Sequence, residues 1–430
     1  MGVAAVRANE VTRGPAGRGV IAGCAAGALA CLLTACSAAP AHPPSPASPQ
    51  ASASRSANAG ASPTASEPRG ALAPPADPLA AVLRDHALGA FAAYADVVDS
   101  LESLERAVAA FLARPSRGSL EAARAAWIAA REPYSRSEAL RFSGGPIDGP
   151  DPLGRSGAPE GRINAWPVDE AFLDYVHSRP HAGLVADRSV PLDEASLVGR
   201  HAREETAQVT LGYHAIEFLL WGQDRSATGP GARPYTDYLP GDPVRERRRA
   251  CLALLVNLLL RELRGVRDAW DPAHGAHARA FLAGDPLAAL GRALTGPATL
   301  AAFELASERL GVPLSSGEQE DEESCFSDNS HRDLLANVEG IARVLEGHGG
   351  RRGLLAALGA AHATEVRQRL AAVRGLAARV SAPFDAVITS PEWDPRRRVV
   401  SALIGELLTL AGAIQRAGEA AGARVVIGGG

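Results

Sequence analysis

The sequence predicts an all-α fold in which long helices pack into bundles. Hydrophobic residues make up 46% of the 430 residues, but aromatic residues only 5%. Much of the apolar content is therefore Ala and Leu, which favour helices over sheets. From Asp77 onward apolar residues recur with the helical period, without the alternation and hairpin turns of strands. About 350 residues suit one large helical domain or two packed bundles.

The first 35 residues have the features of a bacterial lipoprotein signal peptide. Three arginines precede an apolar stretch of small residues, 20–33, which is too short to span a bilayer as a mature helix. The sequence of residues 33–36, LTAC, looks like a lipobox, so we expect cleavage before Cys36 and attachment of lipid to its sulfur. An ordinary signal peptide with a cysteine at this place is the alternative. Ser37 favours the outer membrane over retention in the inner membrane.

Residues 36–76 are mostly Ala, Pro and Ser. Such a segment has too little apolar bulk to offset the entropy of ordering, so we expect a disordered, extended tether. The helical domain is then predicted to cover residues 77–425. Its N-terminal bundle would cover residues 77–240 and its C-terminal bundle residues 241–425.

The individual helices follow from the apolar pattern and from breaking residues. The first covers residues 79–112 and ends before Pro115, and Ser119 caps a second one. A helix over 242–266 contains the run CLALLVNLLL, which is only ten residues long and is flanked by arginines, so it indicates a buried bundle helix rather than a membrane span. Further helices are predicted over residues 276–312, 331–346, 352–382 and 396–419.

Three long connections interrupt this pattern and are candidates for function. Residues 143–168 and 222–241 are rich in Gly and Pro, whereas residues 311–330 are polar and acidic. Ser137-Glu138 and Ser307-Glu308 each end a predicted helix before such a loop. This similarity suggests an internal duplication.

Charge and cysteine content exclude two classes of protein. The net charge is -4, with 44 basic and 48 acidic residues, so the strong basic excess of a nucleic-acid-binding protein is missing. Only Cys251 and Cys325 follow the first 36 residues, and two cysteines do not make a disulfide framework. Cys251 lies in an apolar run and is predicted to be a core residue.

The motif Gly-x-His-x-x-Glu, at residues 212–217, is the strongest candidate for chemistry. Residues three apart on a helix share a face, so His214 and Glu217 can reach one metal ion. The alternative is a structural hydrogen bond between them inside the bundle. The HExxH motif of common zinc proteases is absent, because Ala215 follows His214. Their mechanism therefore does not transfer.

Several separated segments resemble the imelysin-like family. GYHAIEFLLWGQD is similar to the signature GxHxxE segment of that family, and the resemblance covers most of residues 80–420. It implies two packed four-helix-type bundles with the candidate site in a cleft between them. The family includes a peptidase reported to cleave insulin, iron-regulated envelope proteins and the periplasmic part of a ferrous-iron uptake system. The other matching segments are AAWIAAREPYSRSEALRF at 125–142, GPID at 145–148, INAWPVDEAFLDYV at 163–176 and EQEDEESCFSDNSHRDLLANVEGI at 318–341.

The resemblance carries Gly212, His214 and Glu217 over as motif residues. Glu138 is the predicted third ligand, with a salt bridge to Arg141 as the alternative. Carboxylates with one imidazole suit iron first and zinc second. Arg131 could orient a carboxylate or an anion, or serve in core packing. The acidic loop offers further candidates, of which Asp328 and His331 rank highest, unless the loop is solvated or caps the next helix: Glu320, Asp321, Glu322, Ser324, Asp328, His331 and Asp333.

Two functions are compatible with these features. The first is a lipid-anchored envelope protein that binds a metal, iron favoured, and serves in its capture or uptake, with iron-transport components as candidate partners. The second is a metallopeptidase acting in the periplasm or at the cell surface, with Glu217 as a candidate catalytic residue. A zinc peptidase needs three ligands and a metal-bound water. The motif supplies only two ligands, so metal binding is the favoured interpretation.

Overall fold

Helices make up the regular secondary structure of residues 77–226 and 228–428, the parts of the chain that this computed structural model describes. No strand is found in these ranges, apart from one isolated bridge between Val176 and Arg179. The all-α prediction is therefore confirmed. The α-helices in chain order are α1 (Pro78–Ala113), α2 (Arg117–Ser137), α3 (Glu160–Ile163), α4 (Glu170–Leu173), α5 (Glu194–Arg200), α6 (Gly212–Trp221), α7 (Pro243–Ala269), α8 (Ala276–Ala283), α9 (Pro286–Thr299), α10 (Gly311–Ser316), α11 (Ser330–Glu346), α12 (Ala360–Ala377), α13 (Asp385–Ile388) and α14 (Pro395–Ala420).

A π-helical segment, Leu300–Arg309, continues α9 and carries Arg309 at its end. Such segments are rare and occur often at functional sites. Four short 3-10 helices complete the regular structure of the described residues, at Glu138–Leu140, Tyr235–Tyr238, Gln319–Asp321 and Leu354–Ala357.

The dipeptide Asp-Pro begins four of the long helices. In each case the aspartate carboxylate accepts a hydrogen bond from a backbone N–H of the first turn, and the proline occupies the first helical position. Proline costs nothing there because that N–H has no partner inside the helix. The four pairs are Asp77-Pro78, Asp242-Pro243, Asp285-Pro286 and Asp394-Pro395.

One of the predicted helices is wrong because an Asp-Pro pair begins a new helix within it. Residues 276–312 do not form a single helix, because α8 ends at Ala283 and α9 begins at Pro286. The side chain of Asp285 accepts from the N–H of Ala288 at 2.7 Å and caps the new helix. The helix predicted over 352–382 is also interrupted, since a 3-10 turn and Gly359 precede α12.

Helix α1 packs along α2 and α7, and α6 lies against α2 and α7. In the C-terminal half α14 packs against α9, the π-helical segment and α12, while α11 joins the halves by packing against α2. Helix α7 follows residue 240 but packs against α1. The bundle boundary at 240 and 241 stays a prediction, and so does the internal duplication. The predicted signal peptide, Cys36 and the tether over 36–76 lie outside the described residues.

Helix α14 is long and apolar enough to cross a membrane by length and composition alone. Buried core helices of soluble proteins pass the same test. Its apolar face is buried against neighbouring helices, with Val400, Leu403, Leu407 and Leu410 all at 0% exposure. Cys251, predicted to be a core residue, is also fully buried.

Asp174 ties the segment before α5 to α7. Its carboxylate is fully buried and accepts hydrogen bonds from Arg233 Nη1 at 2.7 Å and from Arg248 Nε at 2.6 Å and Nη2 at 3.0 Å. Burial alone would raise the pKa of Asp174, but the two guanidinium groups hold it below its usual value. Charge-assisted bonds of this kind are stronger than neutral ones.

We expect Asp174→Asn to lower the free energy of unfolding by about 3–5 kcal/mol, because two buried guanidinium groups lose their counter-charge. The folded pKa lies below 3.8, so the carboxylate stabilises the fold at neutral pH, and this contribution is lost as the pH falls through the folded pKa. The measurement is urea unfolding of both proteins at pH 7 and at pH 3. The exposed Asp99→Asn is the control. An equal loss in both variants at pH 7 would contradict the assignment.

Candidate metal centre

Helix α6 carries the Gly-x-His-x-x-Glu motif, and every residue from Gly212 to Trp221 is buried. Gly212 begins the helix with a φ of +85°, which side chains with a Cβ rarely adopt. A Cβ at this position would also lie 2.4 Å from the backbone oxygen of Ile163. Glycine therefore lets the start of α6 touch the segment that carries Asn164.

His214 and Glu217 face each other one turn apart on α6. His214 Nδ1 lies 2.8 Å from Glu217 Oε2, and His214 Nε2 lies 3.1 Å from Asn164 Oδ1. The second carboxylate oxygen of Glu217 accepts from the N–H of Ser327 at 2.9 Å and from its hydroxyl at 2.7 Å. Both side chains are shielded from solvent, at 1% and 0% exposure. The pair that the spacing predicts is therefore formed, whereas its role as a ligand pair stays a prediction.

The orientation of the Asn164 amide follows from its other contacts. Its oxygen accepts from Arg131 Nη1 at 2.5 Å, and its nitrogen donates to Glu323 Oε1 at 3.0 Å. If the amide were flipped, its NH₂ group would face the N–H of Arg131 and its oxygen would face the carboxylate of Glu323. Asn164 must therefore present its oxygen to His214.

The protonation of His214 follows from its surroundings. Burial lowers the pKa of His214, and Arg131 lowers it further, although Glu217 acts in the opposite direction. A neutral imidazole carries one N–H, yet both ring nitrogens of His214 face oxygen acceptors. One of the two N···O contacts consequently has no proton of its own.

Glu138 belongs to the same buried network but is held by other partners. Its two oxygens accept from Arg309 Nη2 at 2.7 Å and Nη1 at 2.8 Å, and Asn337 Nδ2 donates to it at 2.8 Å. Burial would raise the pKa of Glu138, but Arg309 holds it well below its usual value. Arg141, the alternative partner weighed from the sequence, is at 3.3 Å. These contacts do not favour Glu138 as a third ligand.

Arg131 is fully buried and organises the network from α2. Besides Asn164 it contacts Glu323 at 3.0 Å and Asp333 at 3.4 Å. Its guanidinium group also lies over the rings of Tyr213 and Tyr134, at 5.0 and 5.4 Å from their centroids. It thus combines the two roles considered from the sequence, holding a carboxylate and packing in the core.

The acidic loop divides between two places. Glu323 and Asp333 join the network around Arg131, and Ser324 Oγ donates to Asp333 at 2.5 Å. Asp328 instead forms a group with Asp224 and Asp385. His331 borders a small cleft with Arg309 and Glu323, and its Nδ1 has no partner among the described residues. Glu320 and Arg332 are exposed, and Asp321 is half-buried.

The sequence did not point to several residues of the network: Asn164, Arg309, Glu323, Ser327 and Asn337. Four of them, all except Arg309, lie in the segments at 163–176 and 318–341 that resemble the family, which was the available signal. Arg309 and Asn337 lie 171 and 199 residues from Glu138 in the chain. No spacing rule relates residues that far apart.

Comparison with known proteins places the chain in a family. Residues 90–413 match the sequence model described as Imelysin, Peptidase_M75. The chain belongs to the imelysin family. The predicted resemblance is thereby confirmed, and the matched range includes both the α6 motif and the acidic loop.

A curated relative is iron-regulated protein A of Synechococcus elongatus, which is 28% identical over 242 residues. The match covers 54% of this chain and 54% of that protein, so it spans about half the length of the relative. Two solved structures have the same fold. An iron-regulated protein A precursor from Parabacteroides distasonis has a TM-score of 0.63 at 18% identity, covering 79% of this chain and 95% of that one. An imelysin-like protein from Psychrobacter arcticum has a TM-score of 0.58 at 16% identity, covering 81% and 97%.

We expect Gly212→Ala to lower the free energy of unfolding by about 3 kcal/mol, because the new Cβ meets the Ile163 carbonyl in a backbone conformation unfavourable to alanine. Gly405→Ala is the matched control, since a Cβ there meets open space on α14 and should stabilise the helix by about 0.5–1 kcal/mol. Thermal unfolding of both variants measures the difference. Equal stability of Gly212→Ala and the parent would contradict the close approach.

Proposed function

We propose that this member of the imelysin family is a lipid-anchored protein of a bacterial cell envelope that binds iron for capture or uptake. His214 and Glu217 are the proposed protein ligands. The observation that carries the proposal is the imidazole between two oxygen acceptors, with Glu217 Oε2 at 2.8 Å and Asn164 Oδ1 at 3.1 Å. A neutral imidazole has one N–H for these two contacts, so only one of them can be a hydrogen bond. A cation could bind to the ring nitrogen that carries no proton.

The donor chemistry supports a borderline metal. An imidazole nitrogen, a carboxylate oxygen and an amide oxygen suit iron, zinc or manganese better than soft copper. Two ligand atoms about 3 Å apart, like Nδ1 and Oε2, have the spacing of neighbouring ligands around one ion at about 2.1 Å. The burial that keeps His214 neutral also keeps it ready to bind, because a metal competes with a proton for the same lone pair.

The ligand count supports cargo rather than a structural ion. Among the described residues, no third carboxylate, imidazole or thiol completes a set with His214 and Glu217 at ligand spacing. Structural zinc sites use four protein ligands. The remaining positions would be filled by water or by a molecule that arrives with the ion, which suits a protein that takes up a metal and releases it.

The names of the relatives support iron as the bound metal and an extracytoplasmic location of the protein. The curated relative carries the name iron-regulated protein A, and so does one of the solved structures. We propose that lipid on Cys36 attaches the chain to the outer membrane and that the Ala/Pro/Ser-rich tether lets the helical domain reach into the periplasm or the surface medium. Iron-transport components are the proposed partners, since captured iron must be passed on.

Peptidase activity is the second candidate, favoured by the name of the matching family. A metallopeptidase needs an open metal position, an activated water and access for a polypeptide. His214 and Glu217 are 1% and 0% exposed, so a substrate backbone does not reach them in this conformation. We therefore rank proteolysis below metal binding.

The test of iron binding uses the full chain, stripped with a chelator and exposed to ferrous iron without oxygen. We expect bound iron in the parent and a loss of affinity of about 10–100-fold in His214→Ala and Glu217→Gln, because each removes a ligand atom. Elemental analysis after desalting, with thermal unfolding as a check of folding, measures this. The exposed His177→Ala should bind as the parent does. Equal iron in His214→Ala and the parent would remove the proposed site.

The test of proteolysis incubates the zinc-loaded or iron-loaded full chain with an unfolded polypeptide such as reduced casein. A peptidase should produce fragments that disappear in Glu217→Ala and persist in His177→Ala, because only the former lacks the metal ligand. Mass spectrometry of the products measures cleavage. Intact substrate after long incubation at high protein concentration would eliminate this second function.

A further inference from the structure

A second group of carboxylates lies apart from His214 and Glu217. Asp224 follows α6, Asp328 lies in the acidic loop and Asp385 begins α13, so three distant parts of the chain meet there. One oxygen of each carboxylate lies within 4.8 Å of one oxygen of each of the others. Asp385 is fully buried, and the other two are half-buried.

The charge of this cluster is not neutralised by the protein. Among the described residues, no arginine or histidine forms an ion pair with Asp224, Asp328 or Asp385. Each of the three keeps one oxygen that receives no hydrogen bond from an N–H group there, and Asp328 shares hydrogen bonds only with the carboxyl groups of Asp224 and Asp385. The other oxygens of Asp224 and Asp385 accept from the N–H of Ser226 at 2.9 Å and from Gln319 Nε2 at 2.7 Å. Buried carboxylates without a counter-charge are costly.

An independent observation points into the cluster. Glu322 is 1% exposed, and among the described residues no arginine, histidine or backbone N–H donates a hydrogen bond of ordinary geometry to its carboxylate oxygens. Burial, then a hydrogen bond with Asp385 and the charges of Asp385 and Asp328, raises the pKa of Glu322 well above its usual value, although Ser330 acts in the opposite direction. A fully buried glutamate therefore lies against the carboxyl groups of Asp385 and Asp328, with no basic side chain beside it.

We propose that Asp224, Asp328 and Asp385, supported by Glu322, bind a hard divalent cation such as calcium. Three atoms at most 4.8 Å apart can all lie within about 2.8 Å of one point, which is compatible with the 2.3–2.6 Å of calcium–oxygen bonds. All the side-chain donors are oxygens, which excludes the soft metals. The cation would replace the missing counter-charge.

The surroundings of the three aspartates indicate how a cation would reach them and what its binding would change. A cavity of about 480 Å³, lined by residues 221–226 and 230–234 among others, reaches Asp224 and gives a cation and its remaining water ligands a route from solvent. The cation would join the loop after α6, the acidic loop and α13. Ser327, which precedes Asp328, donates twice to Glu217, so this bound cation would also order the loop that holds the α6 motif.

The experiment measures thermal unfolding and calcium binding of the chelator-stripped full chain with and without calcium. We expect calcium at about 100 times its Kd to raise the Tm of the parent by roughly 3–5 °C. In Asp328→Asn/Asp385→Asn this rise should disappear, and the Tm without calcium should equal or exceed that of the parent, because the repulsion is gone. This second effect separates loss of a site from failure to fold.

Glu318→Gln/Glu392→Gln is the matched control, since it neutralises one exposed carboxylate beside each of the same two loops and should keep the full rise. His214→Ala should also keep it, so failure of the iron site and failure of the calcium site are told apart. No binding or rise in the parent, or the same rise in Asp328→Asn/Asp385→Asn, would overturn the proposal.

Discussion

The side-chain amide of Asn164 restricts the hydrogen bonds that His214 can make. Arg131 and Glu323 hold the amide so that its oxygen faces the imidazole, while Glu217 approaches the other ring nitrogen. The position of Asn164 depends in turn on Gly212, because any larger residue there would push α6 away from Ile163. The geometry proposed for iron binding therefore rests on contacts between α2, the segment around α3, α6 and the acidic loop.

Two clusters of acidic side chains differ in whether basic side chains pair with their carboxylates. Glu138, Glu323 and Asp333 are buried against arginines, which supply their counter-charge within the fold. Asp224, Asp328 and Asp385 have no such partner among the described residues. A buried negative charge must be paired, protonated or bound to a metal. The first cluster is therefore a means of joining helices, and the second has the chemistry of a cation site.

Prediction from sequence succeeded where interactions are local. The apolar period placed the long helices close to their observed ends, as for α1 and α14, because a helical face depends on residues within a turn or two of one another. His214 and Glu217 were paired for the same reason. The helix expected over 276–312 was wrong because the period continues through Gly284 and Asp285, although the cap of α9 interrupts the helix.

The sequence by itself predicted the helical class, the family and the two side chains that face each other on α6. It could not identify the partners of those side chains, because Asn164 is 50 residues from His214 and Ser327 is 110 residues from Glu217. It also ranked Asp328 among the further site candidates without relating it to Asp224 and Asp385, which packing brings close to it. Contacts between distant residues depend on how whole helices and loops pack, and that packing is a collective result of the core rather than of any local pattern.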